Sequence, residues 1–128
     1  MGNGTSIGKV RGLGSAHHGA HHWLVQRFTA VGNVVLSLWL VGSLILLGDL
    51  SHATVSAYLA QPLAATAMAL LIVSMFWHAR LGLQVLVEDY IHTPGNKFAA
   101  ITALNLATLG GAAFGLFCVV RLALGGAA

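Results

Sequence analysis

The stretch that decides the fold is His78-Ala79-Arg80-Leu81-Gly82-Leu83-Gln84-Val85-Leu86-Val87-Glu88-Asp89-Tyr90. It closes a long apolar run, with a histidine inside the run and an Asp-Tyr pair at its polar end. Ionisable side chains within an apolar span are costly, and they are the first place to look for function. A buried imidazole suits haem or metal ligation. A tyrosine beside an aspartate at a lipid–water boundary suits a polar headgroup such as that of a quinone.

Outward from this stretch, the charged residues mark where the chain can cross a bilayer. Of the 128 residues, 57% are hydrophobic and 7% charged, against about 25% charged in ordinary soluble domains. No Asp, Glu, Lys or Arg falls within 28–48, 50–79 or 98–120. A transmembrane helix needs about 20 mainly apolar residues, so three spans fit and a fourth does not. The expected architecture is an all-α integral membrane fold. Residues 1–26 form an N-terminal segment and 27–128 a membrane domain, with spans at about 27–48, 60–90 and 98–124. The N-terminal segment carries Lys9 and Arg11 but no apolar h-region, so it does not read as a secretory signal. Cys118 is the sole cysteine. It excludes an intrachain disulfide and a Cys-based zinc site, and it reads as small apolar packing in the third span.

The formal net charge is +3, but six basic residues scattered along a membrane chain make no nucleic-acid patch. They report topology instead. Lys9, Arg11 and Arg27 precede span one, Lys97 lies in the second loop, and the first loop around Asp49 has neither Lys nor Arg. The positive-inside rule puts the N-terminus and the second loop in the cytoplasm, or in the matrix of a mitochondrion. Three spans then put the C-terminus on the opposite side, although Arg121 argues mildly against it.

Pro62 suits the first turn of the second helix, where its missing N–H costs little. From there to Tyr90 the helix is roughly 42 Å long, against a hydrocarbon core of about 30 Å, so it tilts or projects. His92-Thr93-Pro94-Gly95-Asn96 reads as a turn. Gly111 and Gly115 in span three have the small-xxx-small spacing of close helix contact. Asn33, Gln84 and Asn105 sit within the spans, and partner helices are expected to cover them. The chain therefore reads as part of a larger anchor bundle completed by another subunit.

Three groups carry the chemistry. His78 has no second histidine in any span, so a haem bound here takes its other axial ligand from another chain or has none. Gly82, one turn on, would let a flat macrocycle approach the backbone. The bland alternative is an imidazole bonded to a backbone carbonyl. Asp89 lies eleven residues from His78, about 16 Å along the axis and within 20° of the same face. Tyr90 can donate to a quinone carbonyl while Asp89 orients it or relays a proton. The alternative there is an interfacial tyrosine that merely ends the helix. The third group is His17, His18, His21 and His22, followed by Trp23, Gln26 and Arg27. Its histidines could bind a metal, but an interfacial lead-in anchored by Trp23 accounts for them more simply. Arg27 could meet acidic lipid headgroups or a haem propionate.

Taken together, His78-Ala-x-x-Gly82-Leu-Gln84-Val-x-x-Glu88-Asp89-Tyr90-x-His92 and Trp23-x-x-Gln26-Arg27-x-Thr29-Ala30 resemble the small hydrophobic membrane-anchor subunits of succinate dehydrogenase (succinate:quinone oxidoreductase, complex II), the D-type anchors. The likeness runs from about Ala20 to Lys97. It rests on a histidine, ten residues, then Asp-Tyr. The third span matches only in kind, and the His-rich start departs from simple members of the family.

The resemblance implies that His78 is an axial ligand of haem b, the other coming from a companion haem-binding anchor subunit. Tyr90 then hydrogen-bonds ubiquinone with Asp89 beside it, and Arg27 lies near the haem propionates and the quinone pocket. It also implies an iron–sulfur subunit and a flavoprotein subunit carrying electrons from succinate, a place in the citric acid cycle and respiratory chain, and a bacterial cytoplasmic membrane as the location. Such an anchor is not catalytic on its own. Three other readings stay open: a fumarate reductase-type anchor, a haem-free membrane scaffold, and an ion-relay subunit using His78 and Asp89.

Overall fold

The computed structural model describes residues 19–125. Within them the chain forms α1 (Gly19–Leu47), α2 (His52–Leu59), α3 (Pro62–Tyr90) and α4 (Pro94–Ala123), with no strand among the described residues. The three long helices have the length and apolarity to cross a bilayer, as the charge-free runs predict. Each is entered or left by a recognisable signal. Gly48 takes a left-handed φ of 69° just past the last residue of α1, a conformation that costs glycine little and closes a helix. Pro62 and Pro94 occupy the first positions of α3 and α4.

Three details depart from the sequence expectations. Helix α1 begins at Gly19, well before Arg27, so His21, His22 and Trp23 belong to the first long helix and not to a separate lead-in. The turn expected over His92–Asn96 is shorter, because Pro94 starts α4 and Gly95 and Asn96 lie in its first turn. Proline forbids a helix interior but is well suited to its first residue, and the same residue type had been read as a stop. The first loop is also not merely polar. It holds α2, capped by Ser51, whose Oγ accepts the Thr54 N–H.

Helix α3 lies between α1 and α4, and those two do not approach each other closely. The helices form a layer rather than a closed bundle. The only buried residues among those described are Ala64, Ala65, Leu71 and Leu81, all on α3. The helix carrying the candidate site is thus the middle one, and most other apolar side chains face outward.

The α3–α4 seam follows the small-residue rule. A Cβ on Gly111 would collide with the Phe76 ring, and one on Gly115 would press on Ile72. Both glycines exist to let the helices close. On the outer side, Tyr58 of α2 stacks on Trp39 with ring centroids 6.4 Å apart and donates to Ser43 Oγ at 2.7 Å. This seats α2 against α1.

Candidate functional site

The α1–α3 seam is polar. Gln26, Thr29 and Asn33 recur on one face of α1, and three contacts with α3 follow in antiparallel order. A Cβ on Gly82 would sit 3.6 Å from Gln26 Nε2. Thr29 Oγ1 lies 3.0 Å from His78 Nδ1. Ser74 Oγ donates to the Thr29 carbonyl at 3.2 Å, and Gly32 makes room for Ser74. Thr29 Oγ1 also lies 3.0 Å from the Val25 and Gln26 carbonyls.

His78 is therefore half-buried against α1. Gly82 is turned toward the Gln26 amide in the single chain. An apolar groove of about 310 Å³ runs past Thr29 and Ser74, walled by Phe28, Leu70, Val73 and Trp77.

Asp89 and Tyr90 end the same unbroken helix, which preserves the axial relation read from the sequence. Both are exposed, Tyr90 at 77%, so its phenol is open to a molecule arriving from the membrane boundary. The C-terminal turn is held by other groups. Gln84 Nε2 donates to Glu88 Oε1 at 2.8 Å, Lys97 Nζ donates to the Glu88 carbonyl at 2.9 Å, and the Ile91 N–H bonds to Val87. Neither Asp89 nor Tyr90 is used as a structural tie.

Arg27 is exposed, with its guanidinium 5.3 Å from the centroid of the Trp23 ring, a cation–π contact. The antiparallel pairing sets Gln26 level with Gly82 and Thr29 level with His78. Arg27 accordingly lies a few ångströms from His78 along the axis, on the Tyr90 side. The structure thus brings His78 to Thr29 and Gly82 to Gln26, and leaves Arg27 near the level of His78 and Asp89 and Tyr90 further along, at the C-terminal end of α3.

Two of the three in-span amides also have a partner within this chain. Asn105 Oδ1 accepts from Arg80 Nε across the α3–α4 groove, and Gln84 Nε2 donates to Glu88. Asn33 has a buried Oδ1 that finds no donor among the described residues. Of the histidine cluster, His17 and His18 lie outside the described residues. Among those described, no group of three or more His, Cys, Asp or Glu could hold a metal. Gln26 and Thr29 stand in the motif at the entrance of span one, and their helical spacing with Asn33 marks a polar face legible from the sequence.

Over residues 1–112 the sequence matches the family described as succinate dehydrogenase/fumarate reductase transmembrane subunit. The chain belongs to this family.

It is 33% identical to the succinate dehydrogenase hydrophobic membrane anchor subunit of Rickettsia bellii, over 80% of this chain and 82% of that protein. The protein of the same name from Rickettsia conorii is 34% identical over 92% of this chain and 86% of its own. The succinate dehydrogenase membrane anchor subunit of Reclinomonas americana is 30% identical over 69% and 76%. No solved structure matches significantly. As a member of the transmembrane-subunit family with three apolar helices, the chain is a multi-pass membrane protein.

Proposed function

We propose that this chain is the small, D-type membrane anchor of a succinate:ubiquinone oxidoreductase in a bacterial cytoplasmic membrane. The observation that carries the reading is the layout of α3, with His78 along its apolar length and Asp89-Tyr90 at its exposed end. The relatives' names favour the succinate-oxidising direction over a fumarate reductase-type anchor. The N-terminus and the α3–α4 connection, near Arg27 and Lys97, face the cytoplasm.

The donor set fits haem b better than a bare metal ion. One histidine cannot build a protein metal site, and the described residues offer no cluster to help it. A porphyrin brings four equatorial nitrogens and asks the protein only for axial ligands. His78 would hold the iron together with a histidine of a companion anchor, and the exposed Arg27 would be the candidate to meet a propionate. When bound, the haem supplies one-electron chemistry.

Ubiquinone is the substrate at the other end of the helix. Its reduction takes two electrons, which an iron–sulfur subunit passes on from the flavoprotein's oxidation of succinate, and two protons from the aqueous side. Negative charge grows on the quinone carbonyl oxygen as electrons arrive. A phenol placed there donates a hydrogen bond that strengthens with that charge. Asp89, beside it and open to water, can take up and deliver protons.

The test is the reduced-minus-oxidised spectrum of the purified complex. A b-type band that is lost or shifted by His78→Ala supports the reading. A complex with no such band favours the haem-free scaffold or the ion relay, and a spectrum unchanged by His78→Ala removes His78 as ligand.

A further inference from the structure

The contact between Thr29 and His78 is chemically more specific than a packing contact. A threonine hydroxyl has one hydrogen to give and two lone pairs with which to accept. Three groups lie 3.0 Å from Thr29 Oγ1: the Val25 carbonyl, the Gln26 carbonyl and His78 Nδ1. Carbonyl oxygens can only accept.

If Thr29 gave its hydrogen to Nδ1, its oxygen would face both carbonyls with no hydrogen between them. If it gives the hydrogen to a carbonyl, as threonines in helices do one turn back, its lone pair is free to accept from Nδ1. The second arrangement satisfies every group with two hydrogens, Nδ1–H to Oγ1 and Oγ1–H to carbonyl. Nε2 has no hydrogen-bond partner among the described residues and is not a sealed orphan. In this arrangement it carries the lone pair.

We propose that Thr29 is a positioning residue for His78. It accepts the Nδ1 proton, so the imidazole is held in one tautomer and one ring orientation, with Nε2 presented as the metal-ligating atom. This deepens the haem reading above and rests on it. The same end of an imidazole is often held by a carboxylate or backbone carbonyl in metal sites. A neutral hydroxyl is a weaker acceptor than a carboxylate, so the ligand stays an ordinary imidazole without imidazolate character. The anchoring is firm because the threonine is itself tied to α1 and its carbonyl takes the Ser74 hydroxyl. The ring is thus held by a hydroxyl whose own backbone is bonded back to the histidine's helix.

The experiment compares Thr29→Val with Thr29→Ser in the assembled complex. Valine keeps the branched shape and removes the acceptor, whereas serine keeps the hydroxyl. The readouts are haem content, the haem midpoint potential and the low-temperature EPR signal of the oxidised haem, with succinate–dye activity reporting assembly.

Losing the acceptor makes the imidazole a poorer donor to oxidised iron. The valine variant should show a raised potential, an altered EPR signal and weaker haem retention, by about 10–100-fold in affinity if it behaves as other outer ligands do. Serine should restore all three. Should the valine complex not assemble, Thr29→Ala, which adds no bulk, carries the same readouts. Unchanged potential, signal and content in the hydroxyl-less variant overturns the role of Thr29. If the wild-type complex holds haem and His78→Ala loses it, the haem reading survives that outcome. A wild-type complex with no b-type haem defeats the underlying reading instead.

Discussion

Helix α3 has two seams, and they are built on opposite chemistry. Toward α4 it closes on glycine, with Phe76 over Gly111 and Ile72 over Gly115, and tolerates one polar crossing, Arg80 to Asn105. Toward α1 it meets Gln26, Thr29 and the Thr29 carbonyl with Gly82, His78 and Ser74. Association in lipid is driven by close packing and by hydrogen bonds, not by expulsion of water. The first seam uses the packing route and the second the hydrogen-bond route. A packed seam holds shape, while a bonded seam also fixes directions and proton positions. The residues proposed to do chemistry belong to α3's polar seam and its exposed end, not to the glycine seam.

This contrast can be broken from either side. The largest expected effect is on activity. Tyr90→Phe, which keeps the ring and removes the hydroxyl, should lower succinate–quinone turnover by about 10²–10³-fold, by analogy with the loss of an oxyanion donor. Dye reduction at the flavin end and thermal stability should be unchanged, and normal quinone turnover would reduce Tyr90 to an interfacial anchor.

Next, Gly111→Val should push Phe76 aside and destabilise the anchor by about 1–3 kcal/mol. This would be read as a lower melting temperature of the complex, with the haem spectrum of the surviving protein intact. A changed spectrum would mean that the two seams are not separable. Asn105→Leu should cost about 1–3 kcal/mol by leaving Arg80 without its acceptor, again with no effect on haem potential. Paired with Arg80→Leu, much of that cost should disappear.

The smallest effect lies outside the seams. Hydrogen bonds from Thr54 and Ser51 hold the Asp49 carboxyl below the ordinary carboxylate range. A depressed folded pKa contributes stability that is present above the unfolded value and lost as pH falls through the folded one. Acidification below about pH 4 should therefore fray the start of α2, detectable as faster amide exchange at Thr54. The same titration in Asp49→Asn should show no such step.

The sequence told most about whatever depends on distance along the chain. Charge-free runs located the spans, the Gly111–Gly115 spacing announced a close seam, and the eleven-residue step from His78 to Asp89 survived because α3 is unbroken. Helix α2 was missed because eight residues give too short a window for periodicity. The early start of α1 was missed because His21 and His22 break the apolar pattern without breaking the helix. The bonds of Asn105 to Arg80 and of Gln84 to Glu88 were not foreseen, because these residues become neighbours only through helix packing and helix phase. The bond from Thr29 to His78 joins residues 49 apart in sequence, and one sequence alone carries no record of such a meeting.

Helix α2 has a consequence for measurement along the membrane normal. It is seated on α1 by Tyr58 and leads within two residues into α3, so the Pro62 end of α3 cannot slide past α1. The helix then behaves as a ruler fixed at one end, graduated at about 1.5 Å and 100° per residue. The depth of His78 and the height of Tyr90 are set by counting residues from Pro62 rather than by the thickness of the surrounding lipid. One residue inserted between them would lift the tyrosine by a single graduation and swing it about a quarter-turn, away from any pocket built to receive its hydroxyl.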